Sequence, residues 1–123
     1  MDAARIVELF EAFAPVRVRR MFGGFGIYRD DVMFALVADD LIYLKAHAES
    51  QAAFEREGCG PFVYAAKGGR KTVMSYWRMP DRLYDDPAEL SQWAKAAHGA
   101  AVRAAAKKRP APKRRAAKKI ARR

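Results

Sequence analysis

Two histidines, His47 and His98, one cysteine, Cys59, and three acidic doublets, Asp30-Asp31, Asp39-Asp40 and Asp85-Asp86, are the residues of this chain best suited to catalysis or metal binding. A structural zinc site needs closely spaced thiolates and imidazoles, and the chain has neither Cys-x-x-Cys nor His-x-x-x-His. No metal and no cofactor is expected. A Cys–His nucleophilic pair would have to be assembled by tertiary folding. Cys59, between Gly58 and Gly60 after a helical stretch, reads instead as a small packed or turn residue. The doublets fall between apolar segments, where aspartate supports turns and caps through bonds to nearby backbone, so they are assigned there rather than to paired-carboxylate chemistry. Gly23-Gly24-Phe25-Gly26 lacks both the Gly-x-Gly-x-x-Gly spacing and the Lys-Ser/Thr pair of phosphate loops. The strand-like Ile27-Tyr28 follows it, so these glycines mark a turn or a close approach of backbones. No catalytic residue is expected, and the chain is read as a non-enzyme.

The remaining chemistry is that of charge. The chain has 123 residues and a formal net charge of +10. Residues 1–102 hold 13 basic and 14 acidic residues, while residues 103–123 hold the other 11 basic residues and no acid. These are Arg103, Lys107, Lys108, Arg109, Lys113, Arg114, Arg115, Lys118, Lys119, Arg122 and Arg123. They are set in Ala and Pro, a composition that repels itself and has too little apolar area to offset conformational entropy, so the tail is expected to be disordered when free. They are the candidate DNA-contacting residues, meeting phosphates without reading bases. Ile120 is the tail's only bulky apolar residue, too little for membrane insertion. Tyr64, Tyr76 and Trp77 with Lys67, Arg70, Lys71 and Arg78 have the composition of a sheet-borne RNA platform. Alternation, however, sends Tyr76 and Trp77 to opposite faces, so at most one can join it, and burial is the better reading of these rings.

The elements that must carry these residues follow from periodicity. Ile6, Leu9, Phe10 and Phe13 lie at helical spacing up to Pro15. Val18–Phe22, Phe25–Arg29, Val32–Ala38 and Leu41–Lys45 are rich in β-branched and aromatic residues and are separated by hairpin-length breaks, which predicts a four-strand antiparallel meander. Ala48–Glu57 reads as a short helix stopped by Gly58. Phe62–Ala66 and Thr72–Met79 flank Lys67-Gly68-Gly69-Arg70-Lys71 as a hairpin ended by Pro80. Asp86-Pro87-Ala88-Glu89 carries a cap, a first-turn proline and a capping-box acid. Beyond it Leu90, Trp93, Ala94, Ala97 and Ala101 continue a helical stripe as far as Lys107, before Pro110.

The pieces Met21-Phe22-Gly23-Gly24-Phe25-Gly26-Ile27-Tyr28, Phe34-Ala35-Leu36, Tyr43-Leu44-Lys45, Phe54-Glu55-Arg56-Glu57-Gly58, Pro61-Phe62-Val63-Tyr64 and Met74-Ser75-Tyr76 followed by Pro80 resemble, in that order, the TfoX N-terminal domain family. The resemblance spans about Ile6 to Arg103. It implies a bacterial, cytoplasmic α+β domain without cofactor or catalytic residues, linked to regulation of competence for DNA transformation, where full-length regulators act alongside the cyclic AMP receptor protein. Those regulators carry a second, C-terminal helical domain, and here the basic tail takes its place. The tail itself resembles the Ala/Lys/Pro-rich tails of histone H1 and of some bacterial nucleoid proteins.

The expected fold is therefore α+β, with an antiparallel sheet of about six strands and helices packed on it in the order α-β-β-β-β-α-β-β-α. Residues 1–102 form the domain and 103–123 the tail. One unpaired cysteine fits a reducing compartment, and neither an apolar signal stretch nor a membrane-length run occurs. A cytoplasmic, nucleoid-associated regulatory module is expected, its partners DNA and another regulatory protein, with no membrane partner and a small molecule disfavoured. The alternative is a small-molecule-binding or catalytic domain whose tail only localises or solubilises it. A deep pocket joining Cys59, a histidine and an acid would favour that alternative.

Overall fold

In a computed structural model, residues 1–21, 23–65 and 71–108 are described, the side chains of 64, 65, 71–74, 107 and 108 excepted. The order is α1 (Ala3–Leu9), β1 (Arg17–Met21), β2 (Gly24–Arg29), β3 (Val32–Ala38), β4 (Leu41–Lys45), α2 (Ala48–Arg56), β5 (Pro61–Ala65), β6 (Lys71–Arg78), a 3₁₀ turn (Asp81–Asp85) and α3 (Pro87–Lys108). The six strands form one antiparallel sheet in the order β1-β2-β3-β4-β6-β5. The first four are the expected meander, and the β5–β6 hairpin joins it through β6.

Local chemistry explains the joints. Asp30, Asp31, Asp39 and Asp40 all have positive φ, from 51° to 63°. Two successive left-handed residues make the tight two-residue turn whose twist matches antiparallel strands, and aspartate tolerates it better than most residues. These two doublets are thus turn residues. Gly58, at φ +76°, stops α2. Two expectations are corrected. The first helix ends at Leu9 rather than running up to Pro15, and residues 10–13 continue as turns, with Phe13 N–H and Ala14 N–H both donating to the Phe10 carbonyl. Asp86 does cap α3, accepting from Glu89 N–H at 3.1 Å, but the Glu89 carboxylate does not reach back. It is taken by Arg82 at 2.7 Å and by Trp93 Nε1–H at 3.1 Å. The 3₁₀ turn that supplies Arg82 carries no periodic signal of its own, and sequence reading passed over it.

All three helices pack on one sheet face. Ile6, Leu9, Phe10, Phe54, Leu90, Ala94, Ala97 and Ala101 form one buried cluster with Ile27, Ala35, Val37, Ile42, Leu44, Trp77 and Met79. The register aligns Val18, Ile27, Ala35, Leu44 and Trp77 across five strands, which gives that face its central row. A bulge opposite Ile27/Tyr28 adds one residue to β3. Phe34 occupies it and is turned to the helix side like Ala35, edge-on to Phe10 at 5.5 Å and Phe13 at 5.4 Å between ring centres.

Candidate nucleic-acid interface

The candidate DNA-contacting residues begin on α3. This helix is held to the sheet by Leu90, Ala94, Ala97 and Ala101 and runs on to Lys108. Arg103 is exposed on its last turns, with its guanidinium lying back toward Gly99. Lys107 and Lys108 belong to the helix, though their side chains are not described. Arg109, Lys113, Arg114, Arg115, Lys118, Lys119, Arg122 and Arg123 lie outside the described residues. After Glu89 the helix has no acid, while Lys95, Arg103, Lys107 and Lys108 are basic. Cations toward a helix C-terminus complement its dipole.

The aromatic platform is not formed as its composition suggested. Trp77 is in the helix-side core, 6.0 Å from the Phe54 ring. Tyr76 does lie on the opposite face, but only 8 % of it is exposed, and its hydroxyl donates to the Met33 carbonyl at 3.1 Å. Burial pushes this phenol up to about 12. The Lys45 ammonium sits 5.1 Å from the ring centre and also bonds the Ser75 hydroxyl. A nucleobase could not stack on a ring so enclosed. The Tyr64 and Lys71 side chains, Lys67 and Arg70 are outside the described set.

What the open face does present is a different row. The register sets Arg19, Gly26, Leu36, Tyr43 and Arg78 side by side across β1, β2, β3, β4 and β6. Leu36 is buried at its centre, outside the helix-side cluster. Met21 and Met33 close over Gly26, where an added Cβ would lie 2.8 Å from both sulfurs. Arg19 stands over the Tyr28 ring at 5.8 Å, and Tyr43 meets Phe62 at 5.0 Å. Sequence reading missed this group because cross-strand register, and not spacing along the chain, brings it together.

The residues suited to catalysis stay apart. His47 caps α2, its Nδ1 accepting from Glu49 N–H at 3.2 Å while Ser50 Oγ accepts from His47 N–H at 3.0 Å. His98 Nε2 lies 3.2 Å from the Arg29 carbonyl oxygen, its ring beside Phe13 and Phe34. Cys59 packs partly against the core, and burial pushes its thiol up, away from the reactive thiolate. The cleft beside it, about 330 Å³, is lined by Glu57, Gly58, Cys59, Arg78, Pro80, Asp81 and Arg82, without a histidine. Arg82 there bonds Glu57 at 2.7 Å as well as Glu89, and both carboxyls are held below the usual carboxylate range by its guanidinium. No group of three or more His, Cys, Asp or Glu among the described residues could hold a metal ion. Among those residues, no helix is long and apolar enough to cross a membrane.

Two curated relatives share this sequence pattern. The chain is 38 % identical over 72 residues to DNA transformation protein TfoX1 of Aliivibrio fischeri (strain ATCC 700601 / ES114), a stretch covering 58 % of this chain and 34 % of the relative. It is 26 % identical over 96 residues to Protein Sxy of Escherichia coli (strain K12), covering 78 % and 46 % respectively. The chain thus matches less than half the length of either relative. The family model for the TfoX N-terminal domain matches residues 8–101. Those bounds run from α1 to the last core residue of α3, Ala101, and take in the whole sheet. By its elements, its core and its sequence, the chain belongs to the TfoX N-terminal domain family.

Proposed function

We propose that this chain is a non-enzymatic regulatory module, cytoplasmic and nucleoid-associated, whose folded domain contacts another protein while its basic tail holds it on DNA without sequence preference. The similarity to a DNA transformation protein makes control of competence or of transcription the process in which such a module would act. The observation that carries the reading is the segregation of charge. Thirteen basic and 14 acidic residues nearly cancel over residues 1–102, while the 11 cations and no acid of 103–123 begin on the last turns of α3. Phosphate contacts by such a segment release counterions, so affinity depends steeply on salt and hardly on sequence. With roughly 6–10 phosphates neutralised, binding to random duplex DNA falls by about three to five powers of ten between 50 and 200 mM salt. Gel retardation by the intact chain, lost on truncation after Val102 and on replacing the Lys and Arg of 107–123 by Gln, is the test. Undiminished retardation by either variant would move DNA binding to the folded body and overturn the reading.

One observation favours a second reading, a small-molecule site. A groove of about 250 Å³ between α2 and α3 is lined by Lys45, Ser50, Ala53, Phe54, Gln92, Trp93, Ala96 and Ala97. It offers an apolar floor with few polar groups converging on it, against the several oriented groups that specific ligand sites use. Saturable thermal stabilisation by a defined metabolite, abolished by Ala53→Trp, would establish that reading.

A further inference from the structure

We propose that the open sheet face is a docking surface for an acidic, amphipathic segment of a partner protein. The proposal deepens the protein-contact half of the proposed function and is independent of the DNA half. Across five strands the central row reads Arg19, Gly26, Leu36, Tyr43, Arg78, an apolar middle between two guanidinium groups. With four strand spacings of about 4.8 Å, the two arginine backbones stand roughly 19 Å apart. Met21, Met33, Tyr28 and Phe62, all partly exposed, extend the apolar middle. Aromatic residues, methionine and arginine are the types enriched where proteins meet proteins, while aspartate and glutamate are depleted there. Flexible methionines let such a surface adapt to its occupant.

Charge decides the occupant. The outward-facing strand positions carry Arg17, Arg19, Lys45 and Arg78 and no acid. The nearest aspartates sit in turns and are already engaged: Asp31 with Arg17 at 3.5 Å, Asp30 with Arg29 at 3.6 Å, Asp40 with the N-terminal amine at 2.6 Å, Asp81 with Arg78 at 3.0 Å. Arg78, although paired with Asp81, keeps 42 % of its side chain exposed, and among the described residues Arg19 lies against the Tyr28 ring alone. A segment with carboxylates at its two ends and apolar side chains between them meets both arginines and covers Leu36 and Tyr43. The chain's own tail, being basic, is repelled from this row. A nucleic acid strand would find its phosphates matched, but Tyr76 is enclosed, Tyr28 lies under the Arg19 guanidinium and Tyr43 packs against Phe62.

The probes are two synthetic peptides of equal composition, one with Glu pairs at the ends of a Leu/Phe centre and one with the Glu residues grouped in the middle. They are titrated into the full-length chain with the Lys and Arg of 107–123 changed to Gln, which removes capture by the tail. The expected result has three parts. The methyl resonances of Met21, Met33 and Leu36 shift on adding the first peptide, the second binds at least tenfold more weakly, and Arg19→Glu weakens the first at least tenfold without changing the melting temperature. Met21→Gln, which leaves charge intact, is expected to weaken it severalfold. Shifts confined to the α2–α3 groove, equal binding of the two peptides or indifference to Arg19→Glu would overturn the proposal. So would oligo(dT) taking the face in the peptide's place, or a doubling of mass that Arg19→Glu reverses. Loss of DNA binding in the same chain tests the tail and leaves this outcome untouched.

Discussion

At Gly24 and Gly26 the same missing side chain serves two different ends. A Cβ on Gly24 would lie 1.9 Å from the Val37 carbonyl oxygen, which is backbone within the β2–β3 ladder and has nowhere to go. A Cβ on Gly26 would meet first the sulfurs of Met21 and Met33 and the Tyr28 ring edge, all ends of side chains. Overpacking costs typically 1–3 kcal/mol, and more where nothing can yield. Gly24→Ala is therefore expected to cost about 3 kcal/mol or more and Gly26→Ala about 1 kcal/mol, read as shifts of the urea midpoint. The glycine-rich stretch was legible in the sequence as a close approach of backbones, because no phosphate-loop spacing competed with that reading. Which glycine meets backbone and which meets side chains was not legible, since that depends on the partner strand. Cys59 gives a test of chemistry. Its thiol is raised from 9.0 chiefly by burial, so its rate of alkylation by iodoacetamide is expected to climb only as pH passes above 9, with little reaction at pH 7. A fast reaction at neutral pH would restore the nucleophile that the geometry argues against.

Elements were more readable than their partnerships. β3 and β4 fall on the residues that composition predicted, because aspartate doublets bound β3 on both sides and open β4. The bulge that turns Phe34 inward breaks the two-residue period, and the joining of β6 to β4 depends on contacts 31 to 35 residues apart. Neither leaves a local trace. The 3₁₀ turn is a third case, and Tyr84 within it shows why it exists: its hydroxyl accepts from Ile42 N–H at 2.8 Å across the core. Tyr84→Phe strands that donor and is expected to cost about 1–3 kcal/mol in chemical denaturation. Tyr76 ties β6 to β3 and brings a pH dependence with it. Its phenol is raised from 10.0 to about 12, mainly by burial. Between those values the unfolded chain has lost a proton that the native state keeps, so the stability Tyr76 contributes is whole below pH 10 and lost as pH rises toward 12. Tyr76→Phe is expected to flatten the stability profile over that window, as followed by alkaline denaturation monitored in the far ultraviolet.

At the scale of the molecule, the body and the tail are expected to respond to DNA as separate things, and melting experiments can tell them apart. A ligand raises stability only when it binds the native state better than the unfolded one. The core that α3 contributes ends at Ala101, and the tail's cations begin just beyond it. Unfolding the body therefore leaves most of the proposed phosphate-contacting cations chemically unchanged, those of Arg103, Lys107 and Lys108 on the last turns of α3 excepted. Duplex DNA at low salt, supplied at 100 times its dissociation constant, is expected to leave the melting temperature where it was, although the protein is then almost wholly bound. If instead the sheet held the DNA, the same excess would add about 2.7 kcal/mol, and for a body of this size the melting temperature would rise by roughly 10 °C or more. Differential scanning calorimetry with and without DNA reads the difference directly. Titrating salt in the DNA-containing sample sharpens it, because a melting temperature that falls toward the DNA-free value as salt rises would place phosphate contacts on the folded body, whereas a flat response assigns them to the tail.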